Sequence, residues 1–405
     1  MADHMRILFL SRWYPYPANN GSKLRIFNLL RGLSLHHEID LVSFYEPAEG
    51  QPDQQSLGEV CRSVQVVPWH EYDPNSLRAI RGFFSFLPRS ILDTYSPEMS
   101  QALHGTMGGE KYDLIIASQI DMAIYAVELK DVPILLEEAE LGIYAQKARQ
   151  SSPLKKRLRH NLTWWKYRRY LRFLFSKIST ATVVSQQEKD LLQSAVPEAR
   201  KVVIIPNCMR LQDYEGFSVE ARPDSLIYTG SFRYDVNYEA MNWFVQEVFP
   251  LIQAQLPQAD LIITGDPDGK RLPAGNYLTQ TGVVSDVRPW LAAARVALAP
   301  LQTGGGTRLK ILEAMALRTP VVSTSKGAEG LEAQQGVHLL IADSPQDFAN
   351  AVLRLLQDDE LHQQLAAAGF DLVKQKYNWD AVLPDFLQLA EETARIGARM
   401  PETDR

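Results

Sequence analysis

Cysteine is scarce in this sequence, and long apolar segments are missing. Its 405 residues include two cysteines, Cys61 and Cys208, which lie far apart and lack the spacing of metal ligands. Two isolated cysteines are typical of the reducing cytosol, and they exclude a disulfide scaffold and a cysteine-based zinc site. No apolar run approaches the ~20 residues that a helix needs to cross a bilayer. We therefore predict a cytoplasmic protein.

An excess of positive charge is missing as well. The chain has 42 Lys and Arg against 48 Asp and Glu, a net charge of −6, which argues against nucleic acid as a partner. Hydrophobic residues make up 45% and charged residues 22%, as in ordinary globular proteins. At roughly 100–200 residues per domain, the length favours two domains.

The order of hydrophobic patterns predicts the fold class. Aliphatic segments of strand length alternate with longer helical segments through both halves of the chain. Such alternation is typical of α/β proteins with doubly wound parallel sheets. A proline and polar residues follow an aliphatic segment at 204–208. We predict one domain over residues 5–205, a second over residues 206–378, and a last helix over residues 379–399.

Glycines follow several predicted strands, at the sheet edge where α/β proteins bind ligands. Three of them, Gly304, Gly305 and Gly306, precede the helix predicted over 308–317, and we expect their N–H groups to bind a diphosphate. Glu313, in that helix, is placed to accept hydrogen bonds from ribose hydroxyls, and a solvated surface glutamate is the alternative. Similar loops contain Gly21, Gly230, Ser231, Arg233 and Gly265, and a plain turn is the alternative at Gly21.

The segment Gly304–Ala316, followed by Thr319–Thr324, closely resembles the retaining group 1 glycosyltransferases, glycosyltransferase family 4, which have the GT-B fold. Supporting motifs are Ile204–Asn207, Thr281–Val287 and Tyr377–Trp379. The similarity covers nearly the whole chain, and the ordered set of motifs is specific.

The resemblance implies two facing Rossmann-like domains with a cleft between them. The C-terminal domain would bind a UDP- or GDP-sugar, and the N-terminal domain would bind a hydroxyl acceptor that is a sugar, a lipid-linked glycan or a small molecule. The last helix, 379–399, would cross back to the first domain. Because the nucleotide-sugar is a substrate, no cofactor is expected. Cell-surface polysaccharide or glycolipid synthesis is the expected setting.

Matching positions carry over the donor contacts of the family. Glu313 would hold the ribose, and the amides around Gly306 and Thr307 would hold the diphosphate. Val283 and Val284 would lie near the base. From the other domain, Gly21 would approach the phosphates.

The donor site departs from the family pattern in two ways. Gly305 stands where the family usually has a glutamate that grips the donor sugar. Many members also bind the diphosphate through an Arg and a Lys in the loop that matches residues 230–238. Here that loop offers Arg233, and Lys310 or Arg308 is the expected substitute for the second cation.

The acceptor domain departs from the pattern as well. Many members carry a histidine after the strand near residue 136, but no histidine lies between His104 and His160. A carboxylate of Glu137, Glu138 or Glu140 is therefore our candidate catalytic group, with Glu138 first and Glu140 second. The alternative is that one caps the next helix and the others face water. By the resemblance, retention needs no enzyme nucleophile, because the leaving phosphate assists the incoming hydroxyl.

Two further features need a functional and a structural interpretation. Asp266 and Asp268 mimic a metal-binding Asp-x-Asp motif, but their expected place beside the base leads us to predict metal-independent transfer. Residues 147–178 contain eleven Lys and Arg interleaved with aromatic residues, and residues 141–187 contain no acid. This helix either packs its aromatic face on the domain or binds an anionic surface on the inner face of the plasma membrane.

Other functions remain open at this point. The missing glutamate and histidine favour a relative that binds nucleotide-sugar or glycan without turnover. A nucleotide-sugar epimerase of similar architecture is the third possibility, although the pattern over 304–316 resembles the transferases more.

Overall fold

The computed structural model describes residues 4–129, 131–150, 153–217, 219, 221–304 and 308–398. The chain forms two compact units. One contains the chain up to Pro206 together with the chain from Leu383, and the other contains Asn207–Val382.

The first unit is built on a parallel sheet. Its strands are β1 (Arg6–Ser11), β2 (Glu38–Tyr45), β3 (Ser63–Pro68), β4 (Leu114–Ser118), β5 (Ile134–Glu137), β6 (Thr180–Val183) and β7 (Lys201–Ile204). Their order in the sheet is β3-β2-β1-β4-β5-β6-β7, and every pair is parallel. Strands such as β4 and β5 are wholly buried, which explains their unbroken aliphatic sequences.

Helices connect these strands. They are α1 (Gly21–Ser34), α2 (Leu77–Arg81), α3 (Arg89–Thr94), α4 (Pro97–Met107), α5 (Ile120–Ala126), α6 (Gly142–Gln150), α7 (Leu154–Phe175) and α8 (Gln186–Ala195). The strand order reverses between β1 and β4, the kind of point at which doubly wound sheets bind ligands.

The second unit repeats this architecture. Its strands are β8 (Arg222–Thr229), β9 (Asp260–Thr264), β10 (Leu278–Gly282), β11 (Ala294–Ala299), β12 (Val321–Ser323) and β13 (Leu340–Ile341), in the parallel order β10-β9-β8-β11-β12-β13. Its helices are α9 (Asp235–Trp243), α10 (Phe249–Gln255), α11 (Arg288–Ala292), α12 (Leu309–Ala316), α13 (Pro345–Gln357) and α14 (Asp359–Lys376). Here the order reverses between β8 and β11.

The last helix, α15 (Trp379–Ala398), starts in the second unit, and its residues from Leu383 onward belong to the first. Leu383 packs against α1 at Gly32, where a Cβ would lie 2.5 Å from Leu383 Cδ2. Lys201 forms an ion pair of 2.5 Å with Glu392. A larger residue than glycine at position 32 would therefore have to displace the Leu383 side chain. Among the described helices, none is both long and apolar enough to cross a bilayer.

Candidate functional site

Three neighbouring strands of the second unit end in closely spaced glycine backbone. Gly230 follows β8, Gly265 follows β9 and Gly282 ends β10, and all three have positive φ angles, of 158°, 135° and 66°. A Cβ on Gly265 would lie 1.9 Å from the Gly230 carbonyl oxygen, so a side chain does not fit there. The Gly265 amide donates to the Gly282 carbonyl at 2.9 Å. The sheet therefore presents bare backbone at its carboxyl edge.

Lys310, in the first turn of α12, lies against this edge. Its Nζ is 2.9 Å from the Tyr228 hydroxyl and 3.1 Å from Asn237 Oδ1. The same Nζ lies 3.0 Å from the position that a Cβ on Gly230 would take. Burial lowers the pKa of Lys310 to about 7, against the opposing effect of Glu313. The site thus holds a cationic group that readily gains or loses a proton near neutral pH.

Glu313 lies one helical turn beyond Lys310. The hydroxyl of Tyr214 donates to its Oε1 at 2.9 Å. Burial raises the pKa of this carboxyl, while the Tyr214 hydrogen bond, Lys310 and Arg288 oppose the rise. The glutamate is therefore a positioned acceptor with electrostatic support, and its contact with the ribose stays a prediction. Nothing in the sequence around Tyr214 had pointed to this partner.

Arg308 is held differently from Lys310. Its Nη2 donates to the Lys326 carbonyl at 2.8 Å and lies 3.7 Å from the Glu329 carboxylate. These contacts make Arg308 a support for the loop before α12, whereas Lys310 is the better diphosphate candidate. Gly304, with φ 92°, lies in that loop. The predicted diphosphate ligands Gly305, Gly306 and Thr307 lie outside the described residues.

Arg233 and the two aspartates after β9 face one another on the surface. Arg233 lies 4.0 Å from Asp266 and 3.8 Å from Asp268, and its side chain is 68% exposed. The two carboxylates share one exposed cation, and such surface pairs contribute little to stability. The Ser231 carbonyl accepts from the Asn237 amide at 2.7 Å. In the described part of the chain, no group of His, Cys, Asp and Glu has an arrangement suited to a metal ion.

The residues predicted near the base follow β10. Val283 is 74% exposed, whereas Val284 is half-buried. Both valines follow the strand that contributes Gly282 to the glycine edge.

In the first unit, Glu137 at the end of β5 is fully buried. The Arg25 Nε donates to it at 2.6 Å, and the Ser118 hydroxyl donates at 2.7 Å. A second nitrogen of Arg25 donates to the Pro206 carbonyl at 2.9 Å. These contacts satisfy both carboxylate oxygens, and breaking such a buried pair typically costs about 3–5 kcal/mol. Glu137 thus has a structural role, which makes Glu138 and Glu140 the stronger of the three predicted catalytic candidates.

Glu138 has a strained backbone and an unusual environment. Its φ is 55°, in the left-handed region. Gln119, which follows the adjacent strand β4, also has a positive φ, of 73°. The Gln119 amide donates to the Glu138 carboxylate at 3.1 Å. Burial raises the pKa of Glu138 to about 7, with Arg25 opposing the rise. Strained, linked residues with a shifted pKa are typical of functional sites.

Two other carboxyls lie near the same edge. Burial raises the pKa of Glu140, and the nearby Glu188 raises it further. Burial also raises the pKa of Asp121 in the first turn of α5, with Arg12 opposing the rise. Asp121 was not among the predicted site residues, although a carboxylate three residues beyond β4 could have identified it. Gly21 begins α1, where the Asn20 side chain accepts from the Lys23 amide at 2.9 Å.

Helix α7, the core of the basic segment, buries some of its apolar side chains and exposes others. Tyr167, Tyr170, Leu171 and Leu174 are buried in the first unit, as the packed-helix interpretation requires. Lys166 Nζ donates to the Gly82 carbonyl at 2.7 Å and thereby ties the helix to the segment after α2. Other apolar side chains remain exposed on α7, namely Leu154, Leu158, Leu162 and Trp165.

Comparison with known proteins places both units in one group. A family model described as "Glycosyl transferase 4-like domain" matches residues 20–208. A model described as "Glycosyl transferases group 1" matches residues 223–358. An uncharacterized 44.6 kDa protein in the cps region of Klebsiella pneumoniae is 20% identical over 92% of this chain and 96% of its own. The phosphatidyl-myo-inositol mannosyltransferase of Mycobacterium leprae is 28% identical over 42% of this chain and 47% of its own.

Solved structures share the whole architecture. Sucrose-phosphate synthase from Thermosynechococcus elongatus has a TM-score of 0.68 at 20% identity, covering 97% of this chain and 100% of that one. Anabaena HepE in complex with UDP and glucose has a TM-score of 0.62 at 16% identity, covering 96% of this chain and 100% of that one. At these identities the likeness establishes the fold.

Proposed function

The chain belongs to the group 1 glycosyltransferases and has their two-domain GT-B fold, and we propose that it transfers a sugar from a UDP-sugar to a hydroxyl acceptor with retention at the anomeric carbon. The proposal rests on one arrangement above all. Lys310 lies beside the glycine edge at Gly230, and Glu313, held by Tyr214, lies one turn beyond it on α12. A cation for the diphosphate and a carboxylate for the ribose are therefore in the order that a nucleoside diphosphate requires.

Each group has a distinct role in donor binding. Lys310 neutralises the diphosphate, and the bare backbone at Gly230 and Gly265 lets the phosphates approach it. Glu313 accepts hydrogen bonds from the ribose, and Val284 contacts the base. UDP is favoured over GDP because the Anabaena protein, with the same fold, is described with UDP.

In the first unit, Glu138 is the acid–base group. With a pKa raised to about 7 by burial, it is ionised in part at neutral pH and accepts the proton of the acceptor hydroxyl. The sugar–phosphate bond breaks as the new bond forms on the same face, and the electron pair leaves with the diphosphate. Gln119 holds the Glu138 carboxylate in place, so it is a positioning residue.

The reaction is proposed to need no metal. Lys310 supplies positive charge to the leaving diphosphate, and the start of α12 adds the positive end of its dipole. Arg233 offsets part of the charge of Asp266 and Asp268, the two carboxylates that resemble a metal-binding motif.

The acceptor is proposed to be a glycan made at a membrane, in polysaccharide or glycolipid synthesis. The relatives named for a cps region and for a phosphatidyl-myo-inositol mannosyltransferase support this setting. So does a surface formed by the exposed face of α7 and by residues 83–86. Phe84 is 93% exposed there, and the Arg169 guanidinium lies 4.2 Å from the centre of the Phe86 ring. Aromatic side chains beside arginines suit anionic headgroups.

A panel of UDP- and GDP-sugars, assayed for release of nucleoside diphosphate, tests the proposed function. We expect release from a UDP-sugar, and we expect Glu313→Gln to abolish most of it. Glu360→Gln changes an exposed glutamate of α14 and is the matched control. Tight binding of a UDP-sugar without release would instead support the non-catalytic module, which Gly305 in place of the family's glutamate favours. Conversion of the free UDP-sugar to its epimer would support the epimerase.

A further inference from the structure

A cavity in the first unit lies outside the groups discussed so far. It has a volume of about 410 Å³, within the ~300–1,000 Å³ range of small-molecule sites. The loops that follow β1 and β2 form its walls, next to the point where the strand order reverses. Among its lining residues, aromatic rings alternate with charged groups: Trp13, Tyr16, Lys23, Tyr45, Glu46 and Asp53.

One wall of the cavity is rigidly built around Arg12. The Arg12 guanidinium lies 4.1 Å from the centre of the Trp13 ring and 3.5 Å from that of Trp69. Its Nη2 also donates to Glu46 Oε1 at 2.7 Å. An arginine stacked between two indoles has little freedom, so it fixes both the Trp13 ring and the Glu46 carboxylate.

The charges around the cavity disfavour an anion. Lys23 forms an ion pair of 2.5 Å with Glu49, and its side chain is only 3% exposed. Arg12 neutralises Glu46 in the same way. Asp53 accepts from the Gln55 amide through Oδ1 at 3.0 Å. The lining thus offers carboxylate oxygens, which accept hydrogen bonds from hydroxyl groups and repel a phosphate or a carboxylate.

We propose that this cavity binds a neutral sugar residue of the acceptor. The faces of Trp13 and Tyr16 pack against the apolar face of the ring, while Glu46 and Asp53 accept hydrogen bonds from its hydroxyls. The inference rests on the proposed function, because it assigns the bound sugar to the acceptor.

The position of the cavity constrains the length of that acceptor. Its walls follow β1 and β2, whereas Glu138 follows β5, and β4 lies between β1 and β5. At ~4.8 Å per strand, the ends of β1 and β5 are about 10 Å apart. A sugar in the cavity is therefore separate from the sugar whose hydroxyl reaches Glu138, so the acceptor contains at least two sugar residues.

Saccharide binding to the full chain, without donor, tests the proposal. Saturation-transfer NMR is recorded with maltose, lactose, cellobiose and α-1,2-mannobiose, and with cellobiouronic acid as the anionic counterpart of cellobiose. We expect at least one neutral disaccharide to bind, and about tenfold weaker binding after Tyr16→Ala. Tyr72→Ala removes a tyrosine of similar exposure, 40% against 46%, that does not line the cavity, and it should bind like the original chain.

A second variant separates recognition from a structural effect. Asp53→Asn keeps an oxygen that accepts from the Gln55 amide, and it should reduce the preference for cellobiose over cellobiouronic acid by several-fold. Preference of the original chain for the acid, equal binding by the Tyr16 and Tyr72 variants, or no binding by the whole neutral panel would overturn the proposal. Calorimetry with UDP-glucose distinguishes failure of the sugar cavity from failure of the proposed donor site. If UDP-glucose fails to bind while a disaccharide binds, the proposed donor chemistry fails and the sugar cavity stands.

Discussion

Removing the ammonium group of Lys310 tests whether this side chain becomes protonated when the donor diphosphate binds. In the free protein, burial lowers the pKa of Lys310 to about 7, so at pH 8 most molecules carry a neutral amine. A bound diphosphate brings negative charge next to Nζ and favours the protonated form. UDP-glucose is the suitable ligand, because its diphosphate diester does not titrate near neutral pH. Donor binding should therefore take up a proton.

The magnitude follows from the two pKa values. If binding restores the pKa of Lys310 from about 7 to its ordinary value of 10.5, each molecule takes up about 0.9 proton at pH 8 and about 0.1 proton at pH 6. The same coupling weakens binding by about 50-fold between pH 7 and pH 9. The direction of this pH dependence follows from the direction of the pKa shift. Because binding takes up a proton, affinity for UDP-glucose falls as the pH rises.

Calorimetry in phosphate and in Tris at pH 8 measures this uptake, since the two buffers differ in ionisation enthalpy. Lys310→Met should abolish the uptake and weaken UDP-glucose binding by about 10–150-fold, the equivalent of ~1.5–3 kcal/mol for a hydrogen bond to a charged group. Lys374→Met, an exposed position of α14, should change neither quantity. No proton uptake by the original chain, or the same uptake after Lys310→Met, would refute the reasoning.

Four other predictions follow from the proposed reaction and its membrane setting. Glu138→Gln should lower kcat by ~10²–10⁴-fold with UDP-glucose affinity unchanged, whereas Glu59→Gln, at an exposed position, should have no effect. In the original chain kcat should rise with pH through about 7 as Glu138 ionises; a flat profile would contradict its role. Transfer should persist in EDTA, and activity lost there but restored by Mn²⁺ would contradict neutralisation by the chain's own cations. Phe84→Ser should reduce sedimentation with anionic liposomes while Leu35→Ser, also highly exposed, should not; equal binding by both variants would argue against the proposed membrane surface.

The regular elements were largely predictable because each has a local signal. The unbroken aliphatic sequence of β4 and the helical apolar spacing of α13 indicate these elements from the residues alone. Strand β10 was missed because Leu278–Gly282 is mostly polar, as an edge strand can be. The apolar pattern over 237–255 favours one continuous helix, but a π-helical turn at Phe244–Val248 interrupts it, directly before the first turn that contains Pro250. A proline lacks the N–H that a continuous helix needs, and it was the overlooked signal.

The chemistry of the site was less accessible to sequence reasoning, because it depends on contacts between distant residues. The sequence ranks Glu138 before Glu140 and Glu137, but it does not reveal the pair that Glu137 makes with Arg25, 112 positions away. The shifted pKa of Lys310 likewise results from burial beside Tyr228, which no local pattern reveals.

The most direct test of the account is the stereochemistry of the product. The full chain is incubated with UDP-α-glucose and the disaccharide that binds best, and the anomeric proton of the new linkage is followed by NMR from the earliest product. The account predicts an α-linked glucosyl product formed in step with UDP release. A β-linked product, or UDP-glucose that binds without any transfer to the acceptors tested, would contradict it.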